Sequence, residues 1–235
     1  MRSVPLHYQT VRSVTAGRGP ATRIDVLPGH DAAMCDNNTV LPIGRIVILC
    51  GGLSRRMGRD KALIPHPRGG TLLGHLCRAA TSTGLPVVTY SRLEQRLQDH
   101  TATELAAIPQ LQWLLEMPPC GGPLLALARL QRHFPAEALL LLACDLPRLT
   151  TTLLLRLLAE PLPRRAVRLY RDAHRWHPLV GAYGPDLQPD LEAALARGVR
   201  SFKSWLPGVA VEWLQAEPQW LMNCNSPVDL LALRP

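Results

Sequence analysis

This sequence predicts an α/β fold built on a mostly parallel sheet, and three observations point there. Short apolar runs alternate along the chain with segments of helical spacing. Several runs are apolar throughout, as strands buried on both faces are. The residues able to do chemistry stand directly after those runs, at the strand ends where parallel sheets bind ligands.

Taken in order, residues 1–42 are polar, punctuated by Pro and Gly, and without period. They read as a disordered tail ahead of one domain over residues 43–235. The tail has no continuous apolar core of a secretory signal, and Asp25, Asp31 and Asp36 are unlike a transit peptide. Met34 offers an alternative start of translation shortly before the first apolar run. R-I-V-I-L-C (45–50) predicts the first buried strand, and T-L-L-G-H-L-C-R-A-A (71–80) a helix that stops near Gly84. L-P-V-V-T-Y (85–90) and Q-W-L-L-E (112–116) predict two further strands. G-P-L-L-A-L-A-R-L-Q-R-H (122–133) is a helix with Pro123 in its first turn. A-L-L-L-L-A (138–143) is a strand, and T-T-L-L-L-R-L-L (151–158) the helix after it. The second half is less regular. A-V-R-L-Y (166–170), P-L-V-G-A-Y (178–183) and V-A-V-E-W-L (209–214) predict strands, while 186–196 and 201–206 predict short helices.

Bulk composition narrows the function classes. No stretch approaches the roughly 18 consecutive apolar residues of a membrane span, so no membrane is expected. The net charge is +8, and residues 1–42 hold four Arg against three Asp, so the excess lies in the body of the chain. A basic body suits an anionic ligand. The arginines are scattered and Phe and Tyr together number six, so no aromatic-interleaved stripe for nucleic acid is present. The six cysteines show no C-x-x-C spacing, and free thiols in a reducing cytoplasm are expected.

The chemistry concentrates in three segments. Residues 49–62 read L-C-G-G-L-S-R-R-M-G-R-D-K-A, directly after the first strand. This is neither a P-loop, since Arg59 and Asp60 separate Gly58 from Lys61, nor G-x-G-x-x-G. Gly51 and Gly52 allow backbone N–H groups close to an anion, and Ser54, Arg55, Arg56 and Lys61 add donors and charge. The plainer alternative is a Gly-Gly turn among solvated basic residues. Lys61 stands out because the chain has 24 arginines and two lysines, the other being Lys203. Asp145, in A-C-D-L-P, ends a wholly apolar strand. It serves either as a Mg²⁺ ligand beside substrate phosphates or as a helix N-cap. P-P-C-G-G-P-L (118–124) brings backbone near a ligand or makes a tight turn, and Glu116 ahead of it faces either the same cleft or solvent. Cys50, Cys120 and Cys144 flank these loops and read better as small buried residues than as a zinc or redox site. His177 before Pro178 is either structural or a substrate contact.

The first segment resembles the signature of the molybdenum cofactor guanylyltransferases, a branch of the small nucleotidyltransferases of glycosyltransferase-A type. The similarity continues through G-G-P-L-L-A-L (121–127), A-C-D-L-P (143–147), W-H-P-L-V-G-A-Y (176–183) and N-C-N-S-P-V-D-L (223–230). The resemblance implies a three-layer Rossmann-like fold. It implies Mg²⁺-dependent transfer of GMP from GTP to the terminal phosphate of molybdopterin, with release of pyrophosphate. Leu49, Cys50 and Gly51 would hold the nucleotide, Lys61 its phosphates and Asp145 the Mg²⁺, with Lys61 and Asp145 the catalytic pair. Glu116 would match an acidic nucleotide contact, and His177, Asn223 and Asn225 would lie on the acceptor side. GTP and the molybdenum cofactor are the implied substrates, and an apo-molybdoenzyme or its chaperone is the implied partner. Cys50 stands where the family more often has Ala. Thr89-Tyr90-Ser91 stands where it often has an Asn that reads the base, which leaves base selectivity open. The alternatives are a related transferase using CTP or another phosphate acceptor, and a GTP-binding cofactor-insertion partner without turnover.

Overall fold

The computed structural model describes residues 24–25, 39–51, 60–95, 97–106, 108, 111–224 and 229. The chain runs β1 (Ile24–Asp25), β2 (Val40–Leu41), β3 (Ile43–Leu49), α1 (Leu72–Thr81), β4 (Val87–Arg92), α2 (Leu97–Leu105), β5 (Leu111–Glu116) and α3 (Pro123–His133). It continues through β6 (Ala138–Ala143), α4 (Thr151–Leu158), β7 (Leu162–Pro163), β8 (Ala166–Arg171) and β9 (Trp176–Tyr183). It closes with α5 (Gln188–Ala196), α6 (Phe202–Trp205) and β10 (Ala210–Gln215).

Eight strands form one sheet in the order β1-β10-β8-β9-β6-β3-β4-β5. The pairs β3–β4, β3–β6, β4–β5 and β8–β10 are parallel. β9 runs antiparallel to both its neighbours, and β1 runs antiparallel to β10. The expected mostly parallel sheet is therefore present. Alternation of side chains along its central strands gives it two buried faces. Ile46 and Ile48 of β3, with Leu140 and Leu142 of β6, pack in one cluster with Leu73 and Leu76 of α1 and Leu153 and Leu154 of α4. Val47 and Leu49, with Leu139 and Leu141, pack in the other with Leu124 and Leu127 of α3, Leu191 of α5 and Phe202 of α6. Helices on both faces of the sheet make the three layers. Burying a leucine in such a layer stabilises by about 1.5–3 kcal/mol.

Four elements depart from the sequence reading. α2 is unmarked by any apolar period, because its buried leucines stand at its ends, Leu97 and Leu105. Glu104 docks it instead, accepting from the backbone N–H and hydroxyl of Thr71, the residue whose side chain caps α1. β7 is two residues long and pairs with β2. β1 and β2 place Ile24–Asp25 and Val40–Leu41 in strands within the segment read as a disordered tail, so those four residues correct that expectation. Residues 1–23 and 26–38 lie outside the described part of the chain.

Candidate active site

Parallel strands bring their carboxyl ends to one edge, and β3, β4, β5 and β6 deliver Leu49–Gly51, Arg92, Glu116 and Asp145 there. A cavity of about 160 Å³ opens at this edge, and Leu49, Gly51, Arg92, Glu116, Gly122 and Asp145 are among its lining residues. Gly122 has φ of 82°, a conformation costly for any residue with a Cβ, and it turns the chain into α3 with Pro123 at the first helical position. The helix start carries no side-chain cap, and Gly122, Pro123 and Ala126 at this end line the cavity.

Asp145 lies just past β6, where Cys144 N–H still donates to Leu49 O at 3.1 Å. It is 7% exposed. Its Oδ2 accepts from Lys61 Nζ at 2.8 Å, and its Oδ1 accepts from Asn223 Nδ2 at 3.3 Å. The helix-cap alternative fails, because α4 begins six residues later and Thr150 caps it by accepting from Leu153 N–H. Lys61 opens a 3-10 turn, Lys61–Leu63, capped by Asp60, which accepts from Ala62 N–H at 3.0 Å. An ammonium and an amide distant in sequence, those of Lys61 and Asn223, thus converge on one carboxylate.

Glu116 faces the cavity rather than solvent. Its Oε2 would lie 3.4 Å from a Cβ on Gly51, and it is 7% exposed. Arg92 Nε stands 3.9 Å from Oε2 and Arg129 Nη1 3.9 Å from Oε1, both beyond hydrogen-bond reach. Arg129 is anchored elsewhere, donating to Met117 O at 2.6 Å and Pro119 O at 2.9 Å. Burial, with the Glu116 charge added to it, pushes the Tyr90 hydroxyl above its ordinary range.

Leu49 and Gly51 line the cavity. Cys50 does not, since its thiol is buried in the core and its carbonyl accepts from Gln95 Nε2 at 2.8 Å. Gly52, Ser54, Arg55 and Asn225 lie outside the described residues. His177 is buried, and its Nε2 bonds Asp172 Oδ2 at 2.7 Å. It lines a second cavity of about 160 Å³ together with Arg175, Trp176, Pro178 and Asn223. The two cavities share Ala143 and Leu179. Cys50 and Cys144 are buried as expected, whereas Cys120 is exposed on the loop before α3, which corrects its reading as a buried residue. Among the described residues no group of three or more His, Cys, Asp or Glu side chains is placed to hold a metal.

Sequence reasoning missed three participants. Gln95 accepts from Arg92 N–H and donates to both Cys50 O and Asp60, so it ties the ends of β3 and β4 to the Lys61 turn. Arg92 and Asp172 belong to no motif, and their roles arise from pairing across strands and turns.

The family described as MobA-like NTP transferase domain matches residues 46–209. The chain belongs to this family. A relative from Synechococcus elongatus, named "Probable molybdenum cofactor guanylyltransferase", is 41% identical over 194 residues, covering 80% of this chain and 96% of the relative. The molybdenum cofactor guanylyltransferase of Pseudomonas entomophila is 31% identical, over 83% of this chain and all of that one. Among solved structures, molybdopterin-guanine dinucleotide biosynthesis protein A from Archaeoglobus fulgidus superposes with a TM-score of 0.61 at 19% identity, covering 81% of this chain and 96% of that one. At that identity the likeness concerns the fold. Within the MobA-like frame, the described part of the opening glycine loop, Asp145 and Glu116 all lie at one sheet edge.

Proposed function

We propose that this MobA-like protein transfers GMP from GTP to the terminal phosphate of molybdopterin-bound molybdenum cofactor, forming the guanine dinucleotide and pyrophosphate. One observation carries the reading beyond the names of its relatives. Asp145 lines the first cavity, Asn223 lines the second, and the two side chains are hydrogen-bonded, so the cavities meet at one carboxylate. A transferase needs that arrangement, with donor and acceptor on either side of one reacting centre.

GTP would occupy the first cavity, with its base toward Glu116 and Arg92 and its phosphates toward Lys61. The acceptor would occupy the second, between Trp176, His177 and Asn223. Asp145 fits Mg²⁺ by its chemistry: a hard carboxylate at a cavity wall, suited to a cation that takes one or two carboxylates plus substrate phosphates. When bound, the cation supplies charge neutralisation between two polyanions. Lys61 and Asp145 neutralise each other in the ligand-free chain, and each would exchange that partner for a substrate-borne charge of opposite sign. The attacking group is a phosphate, anionic at neutral pH, so no strong general base is needed. Lys61, Asn223 and the loop N–H groups act by positioning and by stabilising charge.

The product would pass to an apo-molybdoenzyme or its chaperone. We place the reaction in the cytoplasm, since the five described cysteines are free thiols. No helix among the described residues is long and apolar enough to cross a membrane.

The test is pyrophosphate release with each of the four NTPs, with and without molybdenum cofactor and with and without Mg²⁺. Release that requires GTP, cofactor and Mg²⁺ together is expected. Release with CTP in place of GTP, or GTP binding without any turnover, overturns the reading.

A further inference from the structure

Arg92 lines the cavity proposed for the base without a defined contact to it, and its surroundings are unusual. It closes β4, and its backbone N–H is satisfied by Gln95 Oε1 at 2.9 Å. Its side-chain Nε is buried with no hydrogen-bond partner, and Glu116 Oε1 is buried in the same condition. A buried donor and a buried acceptor left unpaired are each costly. Both residues line the first cavity, so a ligand there can satisfy both at once. Arg129, on the other side of Glu116, already donates to two loop carbonyls. Strand geometry explains why the donor is Arg92 and not an earlier residue. Tyr90 and Arg92 share one face of β4 and line the cavity, whereas Thr89 and Ser91 alternate to the other. Thr89 is spent on Gln112 O at 3.2 Å.

We propose that Arg92 is the specificity-determining donor that reads the 6-oxo group of the base, beside Glu116 reading the N1–H and 2-amino groups. The inference rests on the GTP reading above and deepens it to the level of the ring edge. A carboxylate next to a guanidinium, 3.9 Å apart, presents two acceptors beside a donor. Guanine offers the complement: two adjacent donors beside one acceptor. Adenine and cytosine each offer one donor group, which leaves a carboxylate oxygen unpaired. Uracil matches the 4-oxo group to Arg92 and N3–H to one carboxylate oxygen, but turns its 2-oxo group toward the other. Leaving such buried groups unpaired is what makes a polar site reject a wrong ligand.

The experiment is equilibrium binding of GTP, 6-thio-GTP, ITP and CTP to the full chain, its Arg92→Met variant and its Arg92→Lys variant, with Mg²⁺ present and folding checked by thermal melting. Sulfur at position 6 is a weak acceptor, and ITP lacks the 2-amino group. The parent is expected to favour GTP over 6-thio-GTP by roughly tenfold, the scale of one hydrogen bond to a charged group. Arg92→Met should lose that preference while still favouring GTP over ITP. Arg92→Lys, which keeps the charge and most of the stem, should fall between. A folded Arg92→Met, or Arg92→Lys should Met not fold, that keeps the parent's ratio of GTP to 6-thio-GTP overturns the proposal. So does loss of the GTP-to-ITP preference alone, which would make Arg92 a support for Glu116. If the parent favours CTP over GTP, this inference falls together with the proposed function. If the parent favours GTP and the Arg92 variants are silent, this inference falls by itself.

Discussion

Lys61 and Asp145 stand 84 residues apart in sequence and 2.8 Å apart in space, with both side chains mostly buried. Each was legible alone, as a lysine in an arginine-rich chain and a carboxylate at the end of an apolar strand. Their contact was not legible, because it depends on β3 and β6 being neighbours in the sheet. Arg92 and Gln95 were missed for the same reason: a side chain acquires its role from strands paired to its own. The contact sharpens an expectation for Lys61. A lysine ammonium is a compact point charge that can leave one oxygen for another as phosphates move. An arginine at the same place would grip Asp145 with its planar fork, two bonds to two oxygens. Lys61→Arg should therefore fold and keep GTP affinity within a few-fold, yet lose turnover by about a hundredfold, the scale of a misplacement of about 1 Å. It should also need more Mg²⁺ for half-maximal rate. Lys203→Arg, at an exposed position on α6, should leave all three unchanged. Steady-state kinetics and GTP binding on both variants decide it. Turnover within a few-fold of the parent in Lys61→Arg would reduce Lys61 to a generic positive charge.

At the scale of the elements, strands and helices with a full apolar pattern were readable and the marginal ones were not. β3 and β6 are buried on both faces, so nearly every residue had to be apolar, and α1, α3 and α4 each show one buried stripe. α2 is held by Glu104 on Thr71, a tertiary bond that no local period records. β9 was recognised as a strand, but its antiparallel direction was not, since direction is set by connection and not by composition. The junction after β9 shows how tightly such a connection is made. A Cβ on Gly184 would stand 2.2 Å from Arg164 O and 2.7 Å from Pro163 O, both backbone atoms that cannot swing aside. Gly184 O also accepts from the buried Gln131 Nε2 at 2.7 Å. Gly184→Ala should cost about 1–3 kcal/mol of stability as the backbone yields to the added methyl. Gly208→Ala is the control, with open space around its Cβ position, and should stay within about 0.5 kcal/mol of the parent. Denaturant midpoints report both values, and a stable Gly184→Ala would show the junction to be looser than its contacts.

At the scale of the whole molecule, the basic excess inferred to suit an anionic ligand coexists with two histidines, His75 and His177, whose charging the fold disfavours. Burial lowers the pKa of His75 below its ordinary value, and charge repulsion from His66, whose ring stacks on it at 4.0 Å, lowers it further, as do Arg68 and Arg78, against a bond to Leu149 O. Burial likewise lowers the pKa of His177, although Asp172 opposes it. Asp172 itself is pushed up by burial, but bonds from His177 and from the N–H groups of His174 and Arg175 outweigh this and hold it at about 2. The signs follow from linkage. An unfolded chain protonates these histidines below about pH 6.5 while the folded chain resists, so stability falls as pH drops below that value. The Asp172 contribution is present above its unfolded value of 3.8 and is lost as pH falls toward about 2. Thermal midpoints should therefore decline in two stages, first below about pH 6.5 and again below about pH 4. His75→Phe keeps a ring against His66 and removes one titrating group, so its midpoint should decline less steeply between pH 6.5 and pH 5. It will be lower than the parent at neutral pH for want of the bond to Leu149 O, and that offset is independent of the slope. A slope equal to the parent's over that interval would mean that His75 charges as readily in the folded chain as in the unfolded one, and that its burial against His66 has no hold on the proton.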